Sequence, residues 1–373
     1  MKRVPLRENN CFPGRTSPRS VFPIVILLAV GMSGCIRHQV GPRLIPTARM
    51  DYNTAISSSW DQDLLLNLVR LRYRDSPLFV DIASITASYT LGRSASAGIA
   101  AGGNPLDLTN LNASGGLVFN ENPVISYRYL QGEEFSQRLL SPLAPVSIQT
   151  LSQSGWSIQR LLLCCVQSIN GIENAVAAAG PTPDYVPNYE QFQQVAALFR
   201  RLQIANHIIV ETDPDGTPFL RFKSMGGADA AALKELLHLD MDTNRFQLVI
   251  APQQTSPTEI AMQGRSLLSV MFFLSQGVLP PAADSAAGMV TVTRDANNNV
   301  FDWSQVVGQL IRVHSGDAPP AQSAVQVQHR GHWFWIDDND LNSKTTLSLL
   351  RLLLFLKSGE NGTPSPLITI PTR

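Results

Sequence analysis

Asp337-Asp338-Asn339-Asp340 is a dense group of acids and amides. Carboxylates at that spacing could share a divalent cation, or serve as acid and base in a hydrolysis. The same four residues stand between a predicted strand and a helix that starts near Leu341. There, carboxylates accept hydrogen bonds from free main-chain N–H groups and complement the positive end of the helix dipole. Asp337, Asp338 and Asp340 are therefore a candidate acidic or metal site set against a capping role. Asp240-Met241-Asp242-Thr243-Asn244 opens like a calcium loop, but Arg245 stands where the sharp turn needs Gly and Ala251 where a bidentate Glu is required. Asp213 with Asp215, and Asp295 to Asn299, read as turns.

Nucleophilic catalysis has less support. Ser154-Gly155-Trp156-Ser157 lacks the outer glycines of a nucleophile elbow and has no strand before it, so Ser157 reads as a helix cap. Histidines 207, 238, 314, 329 and 332 are scattered, and no activated Ser or Cys can be set beside them. The Gly-rich stretch from Gly98 to Gly116 holds no Lys-Ser/Thr pair, so it is not a phosphate cradle. Cys164 and Cys165 lie inside Leu161-Leu162-Leu163-Cys164-Cys165-Val166 and read as small apolar core residues, with no zinc spacing anywhere. Trp333-Phe334-Trp335 reads as a strand half in the core. The residues imply no catalytic group, no metal and no cofactor.

The sharpest chemistry lies near the N-terminus. Lys2, Arg3, Arg7, Arg15 and Arg19 against Glu8 precede a short apolar run, Val21 to Val30, which reads as a secretory signal too short to cross a bilayer. Met32-Ser33-Gly34-Cys35 resembles the bacterial lipobox, which implies cleavage between Gly34 and Cys35 and acylation of the Cys35 thiol. Cleavage would leave 339 residues carrying 24 bases and 28 acids. A negative body gains little from anionic headgroups, so the membrane would be a partner through the acyl chains, and two or three chains anchor where one does not. Ile36 is not the aspartate associated with inner-membrane retention, which points to the periplasmic face of the outer membrane. Of 373 residues, 44% are hydrophobic and 16% charged, with net charge zero. That excludes a disordered chain, a coiled coil and a nucleic-acid binder relying on a large positive charge.

The elements that must position these residues read as follows. Residues 35–53 are an aperiodic lipidated tether. Ser59-Trp60-Asp61-Gln62 is a capping box that starts a helix through Leu64, Leu65, Leu68 and Leu71, ended by Arg70, Arg72, Arg74 and Pro77. From Ala83 the period becomes two, and Leu78 to Leu130 reads as a long β-hairpin. One self-consistent register pairs Tyr89 with Ile125, Ala87 with Tyr127, Ala97 with Leu117 and Arg93 with Glu121. Tyr89, Leu91, Arg93, Glu121 and Tyr127 are then candidate partner-binding residues. Such hairpins from several copies could close a homo-oligomeric barrel. The uninterrupted apolar stretch Ile85 to Leu91, however, would rise only ~16 Å when tilted, against a band of ~25 Å.

Helices follow at Glu133 to Leu140, Ser147 to Gln153 and Ser157 to Asn170, the last closed by Gly171. A Pro-rich linker spans 176–188. Region 189–358 reads as helix Tyr189 to Leu202, strands His207 to Val210 and Phe219 to Phe222, helix Ala228 to Leu239, strand Arg245 to Ile250 and helix Arg265 to Gln276. A hairpin, Val325 to Gln328 with His332 to Ile336, and a Leu-rich helix, Leu341 to Leu356, complete it. Residues 359–373 are a tail, and 54–175 form the first body. Strands and helix runs without regular βαβ alternation define an α+β fold.

Several stretches together, Leu71-Arg72-Tyr73-Arg74-Asp75, Ser84-Ile85-Thr86, Gln131-Gly132-Glu133, Gln153 to Arg160 and Trp333 to Asp340, resemble a family of bacterial lipoproteins of uncharacterised activity. The resemblance would cover most of the mature chain. It implies an envelope location and one shared architecture, and it carries no catalytic residue across. The expectation is a non-enzymatic envelope lipoprotein acting through contacts with other envelope proteins. An oligomeric outer-membrane export channel built from residues 83–130 comes second, and an envelope hydrolase using residues 337–340 third.

Overall fold

Helix α1 runs from Leu44 to Arg72 in the computed structural model, which describes residues 44–99, 111–223 and 227–358. Its start differs from the Ser59 capping box, and residues 44–53 of the expected tether are helical. Pro46 sits in the first turn, where its missing N–H breaks nothing, and no Pro or Gly follows until Pro77. The chain divides into two compact units, one ending at Ser59 and the other beginning at Trp60. In the second, α1 buries Leu64, Leu65, Leu68, Val69 and Leu71.

The long hairpin is formed by β1 (Val80–Ile99) and β2 (Leu111–Tyr129), antiparallel and, among the described residues, paired with no other strand. Its register is displaced by four residues from the expected one. Arg93 pairs with Leu117, Tyr89 with Glu121, Ile85 with Ile125 and Ala87 with Pro123. The foot of the hairpin accounts for this. Asn67 Nδ2 donates to the Leu78 carbonyl (2.7 Å), Leu78 N–H donates to Asn67 Oδ1 (2.9 Å), and Leu130 N–H donates to the Phe79 carbonyl (3.0 Å). These bonds fix Val80 opposite Tyr129, and a bulge between Ile82 and Ser84 sets the rest. A cross-strand charge pair contributes only ~0.2–1 kcal/mol and does not override that anchor.

Helices α2 (Glu133–Leu140), α3 (Pro145–Gln153) and α4 (Ile158–Cys165) follow. The helix expected to reach Asn170 stops at Cys165, and the chain passes directly into β3 (Val166–Ile169) and β4 (Ile172–Glu173). Asn170 and Gly171 both have positive φ (49° and 80°), so they form the two-residue turn of a tight hairpin and not a helix end. The expected linker is packed: a single 3₁₀ turn, Val176–Ala179, is followed by buried Pro183 and Pro187.

Next come α5 (Glu190–Ile204), β5 (Ile208–Thr212), β6 (Pro218–Phe222), α6 (Ala228–Leu236), β7 (Arg245–Val249) and β8 (Glu259–Gly264). Strands β3 to β8 form one sheet in the order β4-β3-β8-β7-β6-β5, antiparallel except for the parallel pair β7 and β8. Helices α7 (Leu267–Ser275), α8 (Ala282–Ala286) and α9 (Ser304–Val307) lead to a three-stranded sheet of β9 (His314–Gly316), β10 (Val325–His329) and β11 (His332–Ile336), in the order β10-β11-β9. Helix α10 (Leu341–Ser358) ends the described chain. The fold is α+β, without regular βαβ units.

One apolar core joins α1, α4, α5, α7 and α10. At its centre Arg265 is completely buried. It donates from Nη1 to the carbonyls of Leu163 (3.0 Å), Cys164 (3.2 Å) and Val166 (3.0 Å), and from Nη2 to that of Asn174. Asn174 Nδ2 reaches the carbonyls of Leu163 (2.9 Å) and Val166 (2.8 Å) as well. At the end of α4 the Val166 N–H closes the Leu162 carbonyl, and these two side chains supply donors for the carbonyls that follow it.

Candidate functional site

Cys35 and Gly34 lie outside the described residues. The acids at 337–340 are all described, and each is committed to a different partner. Asp340 accepts from the Ser343 N–H (3.0 Å) and hydroxyl (2.6 Å) in the first turn of α10. Burial pushes its pKa up, but the Ser343 and Asn342 hydrogen bonds outweigh it and leave the carboxyl below the usual range. Exposed Asp338 pairs with half-buried Lys344 at 2.7 Å. Asp337 accepts from Trp335 Nε1 (2.9 Å) and stands 3.3 Å from His314 Nε2. Among the described residues, no three His, Cys, Asp or Glu side chains are placed to share a metal ion.

Of the hairpin residues, Tyr89, Leu91 and Arg93 hold register positions in β1, and Glu121 and Tyr127 in β2. Tyr127 is exposed, as are Val124, Ile125 and Tyr129. Val124 and Ile125 are neighbours, so apolar side chains stand in water on both faces of the hairpin near its foot. Below them, Leu78, Phe79, Leu130 and Phe355 line a small apolar pocket of about 60 Å³.

Sequence reasoning missed a polar cluster in which Arg72-Tyr73-Arg74-Asp75 ties the end of α1 to segments more than 200 residues away. Tyr73, 4% exposed, donates its hydroxyl to Asp284 Oδ2 at 2.5 Å. Burial, reinforced by Asp284, pushes its pKa well above the ordinary tyrosine value, so it is a proton donor and not a nucleophile. Arg74 donates to Thr291 Oγ1 (2.6 and 2.9 Å), and Arg72 to the carbonyls of Thr291 (3.0 Å) and Val278 (3.4 Å). Asp75 holds Arg330 (3.0 Å) and His329 (3.1 Å), both at the tip of the β10–β11 hairpin. Burial lowers the His329 pKa by more than Asp75 raises it. His332 Nδ1 lies 2.9 Å from Asp317 Oδ1, and its Nε2 is 4.0 Å from Asp284.

This cluster has acids, histidines and a tyrosine, yet the polar atoms are mutually satisfied and no nucleophile stands among them. It works as a clamp. The signal in the sequence was the run of alternating Arg, Tyr and Asp placed after, and not within, the apolar periodicity. In the other stretches of the same resemblance, Arg160 binds Asn342 and Thr346 on α10, and Asp340 caps that helix. Comparison with family models, with curated proteins and with solved structures found no match.

Proposed function

We propose that this chain is a lipid-anchored bacterial envelope protein, held at the periplasmic face of the outer membrane by acyl chains on Cys35, that works through protein contacts and not by catalysis. The observation that supports it most directly is the hairpin. Among the described residues, strands of 20 and 19 residues pair only with each other, with apolar side chains exposed on both faces at the foot. An isolated two-stranded hairpin is marginal in water, and an open edge is a template for pairing. Partners in the envelope would cover what this chain leaves bare. The clamp around Tyr73 fits the same reading, because it spends the motif residues on rigidity.

The test compares the wild-type chain with a variant in which residues 86–124 are replaced by a two-residue Asn-Gly turn joining the paired Ile85 and Ile125. In mild-detergent extracts, the wild type is expected to migrate in a complex well above its own mass and the shortened variant at monomer mass, with equal thermal stability. Equal migration of the two would overturn the contact role. Labelled palmitate incorporated into the wild type and absent from Cys35→Ser would support the anchor separately.

A second reading, an oligomeric channel, is favoured by the observed register. Rungs Ile85/Ile125, Ala87/Pro123, Leu91/Phe119, Ala97/Ala113 and Ile99/Leu111 alternate with Ser88/Asn122, Thr90/Asn120, Ser94/Gly116 and Ser96/Ser114. Each strand is ~65 Å long, well beyond the 9–11 residues a tilted strand needs to cross a membrane. Tyr89/Glu121 and Arg93/Leu117 interrupt the apolar series. Ala87→Asp is expected to release the hairpin from carbonate-washed membranes only if the strand is inserted.

A further inference from the structure

Arg72 has a second face that the clamp does not use. Its side chain is largely buried, and burial lowers its pKa to about 10, so at neutral pH it remains a cation. Its Nε and Nη1 are engaged only by main-chain carbonyls, and among the described residues no carboxylate forms an ion pair with it. A desolvated guanidinium without a counter-ion is costly unless something completes it. Arg72 lines a cavity of about 260 Å³, between the end of α7 and the start of α9, whose rim also carries the exposed Arg312. The one carboxylate on the cavity wall, Asp302, is spent on the Ser304 N–H (2.9 Å) and hydroxyl (2.8 Å). The rest of the wall is mostly apolar, including Trp303, Val307 and Ile311.

We propose that this cavity binds a small monocarboxylate with an apolar body, its carboxylate on the Arg72 guanidinium and its body against the accessible Leu279, Val300 and Phe301. With Nε and Nη1 already on carbonyls, Nη2 is left to donate to the carboxylate in a charge-assisted hydrogen bond. A phosphate ester would bring more charge than a single buried arginine neutralises. The volume is worth roughly nine waters at ~30 Å³ each, which suits one amino-acid residue or a medium-length acyl chain. The C-terminal residue of a peptide and a free fatty acid present this same chemistry. The inference stands apart from the role of the hairpin.

Calorimetric titration of the purified full chain would use two matched pairs: octanoate with octanol, and N-acetyl-leucine with N-acetyl-leucine amide. In at least one pair the carboxylate is expected to bind tenfold or more tightly than its neutral partner, and the pair showing this identifies the source. Arg72→Gln should erase that preference, but it also removes donors to Thr291 and Val278 and risks the fold. Leu279→Trp is the second variant. Leu279 is half exposed at the cavity wall and only its main chain bonds to Val313, so the indole should block entry and weaken binding at least tenfold without lowering the melting temperature. Equal affinity for charged and neutral probes in both pairs, no binding by any probe to the folded chain, or unchanged binding in Leu279→Trp would each overturn the proposal.

Discussion

Arg265→Met tests how the helix-to-strand junction at Cys165–Val166 is held. Methionine keeps an unbranched chain against Phe273, whose ring lies 4.0 Å from the Arg265 guanidinium carbon. The carbonyls of Leu163 and Val166 retain Asn174 Nδ2, whereas those of Cys164 and Asn174 lose their side-chain donor. A buried acceptor without a partner costs ~1–3 kcal/mol, so two of them cost ~2–6 kcal/mol. The lost cation–π contact adds up to ~2 kcal/mol. Against these losses, the native guanidinium is buried with no carboxylate beside it and with its Nε unpartnered, and its pKa is pushed down to about 10. Removing it relieves that desolvation. The losses come to ~2–8 kcal/mol before that relief is subtracted, so a net destabilisation of at least ~1 kcal/mol is expected. Urea unfolding followed by far-ultraviolet circular dichroism would read it as a lower midpoint with an unchanged slope. A loss below ~1 kcal/mol at unchanged slope would refute the reasoning, since the freed carbonyls would then have found donors elsewhere.

Two further predictions address groups whose titration the fold alters. Cys164 and Cys165 are fully buried, and burial pushes the Cys164 thiol up to about 12, so neither should react with a thiol reagent until the chain is unfolded; labelling at the rate of free cysteine in native buffer would contradict this. His329 binds a proton less readily folded than unfolded, so its contribution to stability is complete above the unfolded value near 6.5 and is lost as pH falls from there through the lower folded value; His329→Gln should flatten the fall in urea midpoint below about pH 7, and parallel profiles would count against it.

Most elements were legible because their period announces them. The apolar stripe of α1, the two-residue alternation of β1 and β2, and the Arg330-Gly331 turn between β10 and β11 are all local signals. What escaped was decided by residues far away in the chain. Asn170-Gly171 is a strong hairpin signal, but the buried run Leu161 to Val166 has no polar face to mark where a helix stops, and pairing with distant β8 as well as with β4 makes Val166–Ile169 a strand. Strand β8 went unread because its Ala, Met and Gly positions carry little strand preference. The hairpin register was set by the Asn67 amide, which alternation within the strands cannot reveal. At the site, Asp340 as a cap follows from its place before a helix. The clamp at Tyr73 needed Asp284 and His329, whose positions no spacing predicts.

The placement of Arg265 also orders events in time. A chain that emerges N-terminus first, whether from a ribosome or through an export pore, exposes α4 and β3 about a hundred residues before the side chain that closes their carbonyls. Any fragment ending ahead of Glu259 therefore has a core helix with open acceptors and a strand without its neighbour β8. The junction between α4 and β3 cannot be completed from the leading end of the chain, and closes only once that arginine has arrived.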